Sequence, residues 1–211
     1  MKIYFARHGE SQANTQRILS TRGLKHPLTR TGRQQAALLA RLLRDQSITY
    51  IYSSPILRAL ETSILVAQAL GVDYEVTDAL RENDVGVLED RADEEAWQSW
   101  RIVFDDWILH RRRETVIEGG ETYDQVRNRF DLFIDSLVQK YAQADANLLC
   151  VGHGALYWTA LPHVLKNVDT EFITRHQGFD YATLVVAELR AAGLSCVDWN
   201  GIAIGTPENR P

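Results

Sequence analysis

The chain alternates short apolar runs with longer segments in which apolar residues return every three or four positions. The short runs predict β-strands, and the longer segments predict amphipathic helices. Strands are predicted at residues 3–6, 50–53, 74–77, 148–151, 182–189 and 194–197. Helices are predicted at residues 30–45, from 54 to about 70, at 122–142 and from about 155 onward.

The helix that follows the second predicted strand has a local start signal. Ser54 and Pro55 come directly after that strand, and the pair predicts an N-cap followed by proline at the first helical position. The spacing of the apolar residues predicts that Leu60, Ile64 and Ala67 face the core.

Strands that alternate with helices favour a three-layer α/β sandwich, in which helices cover both faces of a mostly parallel central sheet. We predict one domain over residues 1–211, with a helical cap inserted at about residues 83–118, where dense charge breaks the alternation. Glycine and proline in residues 200–211 predict a poorly ordered terminus. Four aromatic residues share one helical stripe of the cap, and we interpret them as the core of the cap, with substrate contact as the alternative: Trp97, Trp100, Phe104 and Trp107.

Composition narrows the function classes. Hydrophobic residues make up 45% of the chain and charged residues 24%, which is typical of a globular protein with a full core. The net charge of −5 gives no reason to expect a nucleic acid or an anionic membrane as partner. Cys150 and Cys196 lie in apolar runs without a disulfide or CxxC pattern, no apolar stretch is long enough to span a membrane, and the apolar N-terminus is too short for a signal peptide. We therefore expect a cytoplasmic protein.

Polar residues follow four successive predicted strands at the point where each strand ends. Arg7 and His8 follow the first strand, Arg58 comes shortly after the second, and Glu82 and His153 follow the third and fourth. In a parallel sheet these positions meet at one edge, where α/β proteins bind ligands. Arginine matches phosphate oxygens with two parallel donors, and histidine can act as a nucleophile near neutral pH. The pattern predicts a phosphate-handling site.

Other chemistries lack their sequence patterns. The chain has no G-x-S-x-G nucleophile turn and no G-x-x-x-x-G-K-[ST] phosphate loop. Leu156 stands six residues after Cys150, where a cysteine phosphatase needs arginine, and no HExxH spacing suggests zinc. We expect a site without metal or cofactor. Taken singly, Arg58 could be a solvated helix arginine and Glu82 a surface charge.

Taken together, the polar positions form six ordered blocks between residues 2 and 165 that resemble the histidine phosphatase, or phosphoglycerate mutase-like, superfamily. The first block is Arg7-His8-Gly9-Glu10-Ser11 with Asn14, and the last is Val151-Gly152-His153-Gly154. The blocks between them are Leu28-Thr29 with Gly32, Gln35 and Ala36; Ser53-Ser54-Pro55 with Arg58, Ala59 and Thr62; Leu80-Arg81-Glu82 with Gly86; and Gly119-Gly120-Glu121-Thr122.

The resemblance implies a phosphoric monoester hydrolase of the histidine acid phosphatase type. It implies that His8 attacks phosphorus and becomes phosphorylated, while a backbone carbonyl holds the other ring nitrogen. It implies that Glu82 protonates the leaving oxygen and then deprotonates the water that frees His8. It also implies phosphate contacts from a further set of residues: Arg7, Asn14, Arg58, His153 and Gly154.

Three functions are compatible with the resemblance. A phosphatase that acts on a small phosphorylated metabolite is favoured, because the chain lacks a tryptophan between Asn14 and Leu28 and has Phe179-Asp180-Tyr181 where many members place an asparagine. The alternatives are a cofactor-dependent phosphoglycerate mutase and a catalytically silent scaffold that binds phosphorylated ligands. The open edge of the predicted sheet is where a homodimer would form.

Overall fold

A computed structural model describes residues 1–175 and 179–204, which contain one seven-stranded sheet with the strand order β3-β2-β4-β1-β5-β6-β7. The first four strands of that order pair in parallel, and the remaining neighbours pair antiparallel. The strands are β1 Lys2–Arg7, β2 Tyr50–Ser53, β3 Tyr74–Val76, β4 Asn147–Gly152, β5 Leu184–Arg190, β6 Gly193–Trp199 and β7 Ile202–Ala203.

Helices occupy the segments between the strands. They are α1 Gln12–Thr15, α2 Arg30–Leu43, α3 Leu57–Leu70, α4 Glu94–Ile108, α5 Tyr123–Tyr141, α6 Gly154–Val164 and α7 Thr170–Arg175. Short 3-10 turns are found at Arg44–Gln46, Asp78–Leu80 and Gly86–Leu88. Within the described ranges, none of these helices is long and apolar enough to cross a lipid bilayer.

The sheet separates two hydrophobic cores, because successive residues of a strand point to opposite faces. Phe5 of β1 and Cys150 of β4 pack with α5 and α6, whereas Tyr4 and Leu149 pack with α2 and α3. The predicted three-layer α/β sandwich is therefore confirmed. The prediction of a disordered tail was wrong for its first part, because β7 pairs with β6; residues 205–211 of that tail lie outside the described part of the chain.

The predicted start of the second helix was also wrong. Helix α3 begins at Leu57 with Ile56 as N-cap, and Ser54 lies before it in a tight turn in which its Oγ accepts from the Ile56 amide at 3.2 Å. The buried face of α3 includes Ala59 and Val66, while Leu60 and Ile64 are half-buried. The predicted inward face is thus rotated, although Ala67 is buried as expected.

Helix α4 lies in the segment predicted as the cap, and its N-cap Asp93 accepts from the Ala96 amide at 3.0 Å. At the base of this segment two stretches of backbone cross closely. Gly86 has a φ of +55°, and a Cβ there would lie 2.0 Å from the carbonyl oxygen of Glu118. Glycine is required at this crossing, because any side chain would push the two stretches apart.

Candidate active site

The carboxyl ends of β1, β2 and β4 are level with one another. Arg7 is opposite Gly152 in the β1–β4 register, and Ser53 is opposite Val151 in the β2–β4 register. The residues that follow these strands surround a cavity of about 290 Å³. The sequence-predicted residues that line it are Arg7, His8, Asn14, Arg58, Glu82 and Gly154.

His8 is buried, and both of its ring nitrogens have defined partners. Nδ1 lies 2.7 Å from the carbonyl oxygen of Gly9, and Nε2 accepts from Nε of Arg58 at 3.0 Å. An arginine nitrogen can only donate, so Nε2 carries the lone pair and Nδ1 carries the proton. Burial, together with the positive charges of Arg58 and Arg7, holds the pKa of His8 well below its usual value of 6.5. The ring is neutral at physiological pH, with Nε2 able to act as a nucleophile.

Arg58 connects the two histidines of the site. Its Nη2 lies 3.2 Å from Nδ1 of His153, whose Nε2 is 2.7 Å from Oγ of Ser54. Burial lowers the pKa of Arg58 to about 10, so the guanidinium keeps its charge at neutral pH. Its Nη1 is buried and has no hydrogen-bond partner among the described residues. A buried charged donor without a partner is costly, which points to an anionic ligand.

His153 lies behind the cavity wall. It is fully buried, and its ring centroid is 5.0 Å from that of His8. Burial is the main cause that lowers its pKa well below 6.5, and the charge of Arg58 adds to the effect. His153 therefore contacts Arg58 and His8, which lie between it and the cavity.

Arg7 approaches the same cavity from β1. Its guanidinium carbon lies 4.3 Å from the centroid of the Tyr181 ring, and Nη1 donates to the carbonyl oxygen of Phe179. Nε is buried and unpaired within the described part of the chain. A Cβ on Gly154 would lie 3.4 Å from that Nε, so the glycine leaves the guanidinium room beside the first turn of α6. Burial lowers the pKa of Arg7.

Glu82 is fixed at the N-terminus of α6. Its Oε1 accepts from the amide of Leu156 at 2.8 Å, and Oε2 accepts from the amide of Ala155 at 3.3 Å. Two backbone amides therefore fix the position of the Glu82 carboxyl group at the cavity. Glu82 is also the one carboxylate in the cavity lining that the described residues provide.

A partly buried ionic network centred on the buried Glu121 holds the loop that carries Glu82. Arg129 pairs with Glu121 at 2.9 Å and donates to the carbonyl oxygens of Ala79 at 2.8 Å and Glu82 at 3.4 Å. Arg81 adds a second pair with Glu121 at 2.8 Å. The sequence showed the Gly-Gly-Glu-Thr block but gave no indication that Arg129 completes this support.

The side-chain amide of Asn14 forms hydrogen bonds through its oxygen atom only among the described residues. Oδ1 accepts from the backbone amide of Ser11 at 3.0 Å and from its hydroxyl at 2.8 Å, which caps α1. Because Asn14 lines the cavity, its Nδ2 group is the half available to a ligand there.

The interpretation of the α4 aromatic stripe as the core of the cap is confirmed in part, because Trp97 and Trp100 pack against a small hydrophobic core that the cap segment helps to form. Trp97, Trp100 and Phe104 are half-buried and line the cavity, whereas Trp107 is buried in the main core with its ring 5.7 Å from that of Tyr123. Sequence reasoning missed Trp158 on the opposite wall. Its position four residues after Gly154 in α6 places the two on one helix face, which is the signal that could have found it.

Comparison with known proteins agrees with this fold. The family model of the histidine phosphatase superfamily (branch 1) matches residues 3–202. The chain therefore belongs to this superfamily, whose members include phosphatases and phosphoglycerate mutases.

Its relatives differ in their named activities. A probable phosphoglycerate mutase, GpmB, of Salmonella choleraesuis is 33% identical over 160 residues, which cover 73% of this chain and 70% of the relative. The fructose-2,6-bisphosphatase TIGAR B of Danio rerio is 31% identical, with 70% and 57% covered. Among solved structures, the alpha-ribazole phosphatase of Shigella flexneri is 25% identical with a TM-score of 0.77, and the two chains are covered to 98% and 99%.

Proposed function

We propose that this chain is a metal-independent phosphomonoesterase that acts on a small phosphorylated metabolite through a phosphohistidine on His8. The observation that carries the proposal is the tautomer of His8. The Gly9 carbonyl holds Nδ1 at 2.7 Å, which leaves the Nε2 lone pair beside the buried guanidinium of Arg58. This arrangement supplies a neutral nucleophile and the positive charge that a phosphoryl group needs.

In the first step, Nε2 of His8 attacks phosphorus and the bond from phosphorus to the ester oxygen breaks. Arg58 transfers its donors from the histidines to the phosphoryl oxygens, and the unpaired Nε of Arg7 donates to the same group. Glu82, in its carboxylic acid form, protonates the departing oxygen. Its Oε2 has the longer, 3.3 Å bond to backbone and is the oxygen we assign to the proton.

In the second step, Glu82 acts as a base. It takes a proton from water, the water oxygen bonds to phosphorus, and the bond from phosphorus to Nε2 breaks. Inorganic phosphate leaves, and His8 returns to its neutral form with the Nε2 lone pair restored. Asn14 assists by holding the phosphoryl oxygens in both steps, and His153 positions Arg58 before the substrate binds.

The mutase alternative draws support from the relative named as a probable phosphoglycerate mutase. A phosphoglycerate carries a carboxylate as well as a phosphate. Binding it calls for a cation in addition to those that bind the phosphate. Among the described residues that line the cavity, the cations are Arg7 and Arg58, and we assign both of them to phosphate binding. This distribution of charge favours hydrolysis over phosphoglycerate exchange.

The test measures phosphate release from a panel of phosphorylated metabolites and p-nitrophenyl phosphate after dialysis against a chelator. We expect turnover to continue at the same rate, because arginine supplies the positive charge. His8→Asn is the control and should release no phosphate. Activity that returns only with a divalent ion contradicts metal independence. Interconversion of phosphoglycerates without net phosphate release establishes the mutase, and no turnover or exchange at all establishes the silent scaffold.

A further inference from the structure

Aromatic rings line the part of the cavity that lies away from Arg7 and Arg58. Trp100 and Phe104 of α4 are stacked, with centroids 5.0 Å apart and planes 14° apart. Trp97 packs edge-on against Trp100 at 5.5 Å, and Trp158 of α6 packs edge-on against Phe104 at 6.2 Å. These four rings, the aromatic wall, form a continuous surface from the cap helix to α6.

The wall is held in place by the protein. Nε1 of Trp97 donates to the carbonyl oxygen of Arg17 at 2.6 Å, which fixes that indole. Apolar residues extend the surface, since Leu19 and Val85 pack with the wall and also line the cavity. Rigid aromatic side chains in a pocket favour a ligand with a planar apolar part, because stacking gains contact area at little cost in conformational entropy.

One neutral polar group on this surface lacks a partner. Ser20 is 5% exposed and lines the cavity, and its Oγ has no hydrogen bond to any described residue. The neighbouring Thr21 differs, because its Oγ1 donates to Glu89 at 2.8 Å. A buried hydroxyl without a partner is a place for a hydrogen-bonding group of a ligand.

Positive charge near the wall is already neutralised. Arg17 and Arg101 lie in an adjoining cavity behind Trp97 and Trp100, and both pair with Glu94, Arg17 at 3.3 Å. All three charged side chains are about half exposed, so these pairs lie at the solvent boundary. A second phosphate or carboxylate of a substrate would compete with Glu94 for these two arginines.

We infer that the substrate is a phosphomonoester whose alcohol part carries a planar aromatic ring and a neutral hydrogen-bonding group but no second charge. The inference rests on the proposed function and names the substrate class of the same site. The phosphoryl group binds at Arg7 and Arg58, and the ring lies against the aromatic wall.

The test compares pairs of phosphate esters. Both members of a pair release a primary alcohol, but only one member carries an aromatic ring. The pairs are benzyl phosphate with propyl phosphate, and adenosine 5′-monophosphate with ribose 5-phosphate. We expect kcat/KM to be about 10-fold or more higher for the ring-bearing member of each pair, the size of one base–aromatic stacking contact. 3-Phosphoglycerate and fructose 1,6-bisphosphate should rank with the ringless members. Equal values within the pairs, or a preference for the doubly charged substrates, overturn the inference.

Variants of the wall locate the preference. Trp100→Ala should remove most of the roughly 10-fold ring preference, measured within the variant as the ratio of kcat/KM for benzyl phosphate to kcat/KM for propyl phosphate. Trp158→Leu tests the opposite wall on a different helix, and it applies if Trp100→Ala fails to fold. Ile102→Ala is the matched control, because Ile102 lies on α4 and is 61% exposed. A ring preference that survives in both wall variants also overturns the inference.

The two proposals fail differently. If wild type forms no phosphohistidine and releases no phosphate from any of these esters, the proposed function is wrong. If it hydrolyses them through His8 without regard to the ring, the proposed function stands and the substrate class is wrong.

Discussion

Nε of Arg58 donates to Nε2 of His8 over 3.0 Å, so the proposed nucleophile is held by the cation that is to receive the phosphoryl oxygens. On the other side of the ring, the carbonyl of Gly9 lies 2.7 Å from Nδ1. The two contacts leave one neutral tautomer possible, with the proton on Nδ1. A phosphate ester that draws Arg58 toward its oxygens would at the same time free the lone pair that attacks phosphorus.

The tautomer gives the first prediction. Because the pKa of His8 is well below 6.5, the ring stays neutral as the pH falls through 6.5, where a solvated histidine gains its proton. Nitrogen-15 NMR of labelled protein at about pH 6 should show His8 with a protonated Nδ1 and an unprotonated Nε2. The spectrum of His8→Asn assigns the signals. A ring protonated on both nitrogens at that pH, or on Nε2 alone, contradicts the geometry.

Arg58→Lys should be costly although it conserves charge. Lysine cannot reproduce the planar guanidinium that contacts His8 through Nε and His153 through Nη2. We expect kcat/KM to fall by an amount equal to about 2–4 kcal/mol of transition-state stabilisation. Arg41→Lys, on the exposed part of α2, is the matched control and should stay near wild type. Near-normal kcat/KM in Arg58→Lys means that Arg58 has no role in phosphoryl transfer.

Glu82→Gln should discriminate between leaving groups. A general acid matters most for a strongly basic alkoxide, so hydrolysis of an alkyl phosphate should slow by about 10²–10⁴-fold. With p-nitrophenyl phosphate, phosphorylation of His8 should suffer much less, and the missing base should let phosphoenzyme accumulate after a burst of nitrophenol.

The control for Glu82→Gln is Glu95→Gln, since the Glu95 side chain is 85% exposed and is not part of the cavity lining. Glu89 and Glu121 are poor substitutes for Glu82. Glu89 accepts from the amides of Thr21 and Arg22, and Glu121 is held by Arg81 and Arg129. Equal losses on both substrates without a burst would show that Glu82 is not the acid/base.

The sheet and the gathering of the polar residues could be predicted because both follow from local patterns. Arg7 and His153 each follow an apolar run, and a parallel sheet brings the ends of such runs together. The start of α3 could not be predicted from the sequence. Serine is a preferred N-cap residue, so Ser54 indicated a helix start that the fold does not use. In the fold its hydroxyl contacts His153 at 2.7 Å, a partner 99 residues away in the sequence.

The sequence also could not predict which part of the protein the aromatic stripe of α4 faces. The periodicity of Trp97, Trp100 and Phe104 indicates one helix face but carries no information about what that face meets. The packing of α4 beside α6 decides it, and Trp158 of α6 becomes part of the same wall. The support of Glu82 by Arg129 likewise depends on how α5 lies against the loop.

The most direct test of the account is to trap the phosphoenzyme. Wild type is mixed with phosphorus-32-labelled substrate, quenched within one turnover and digested, and the labelled peptide is identified by mass spectrometry. We predict an adduct that is acid-labile and base-stable, located on His8 through Nε2, and absent from His8→Asn that circular dichroism shows to be folded. A label on His153, or a label that persists in His8→Asn, would contradict the central claim.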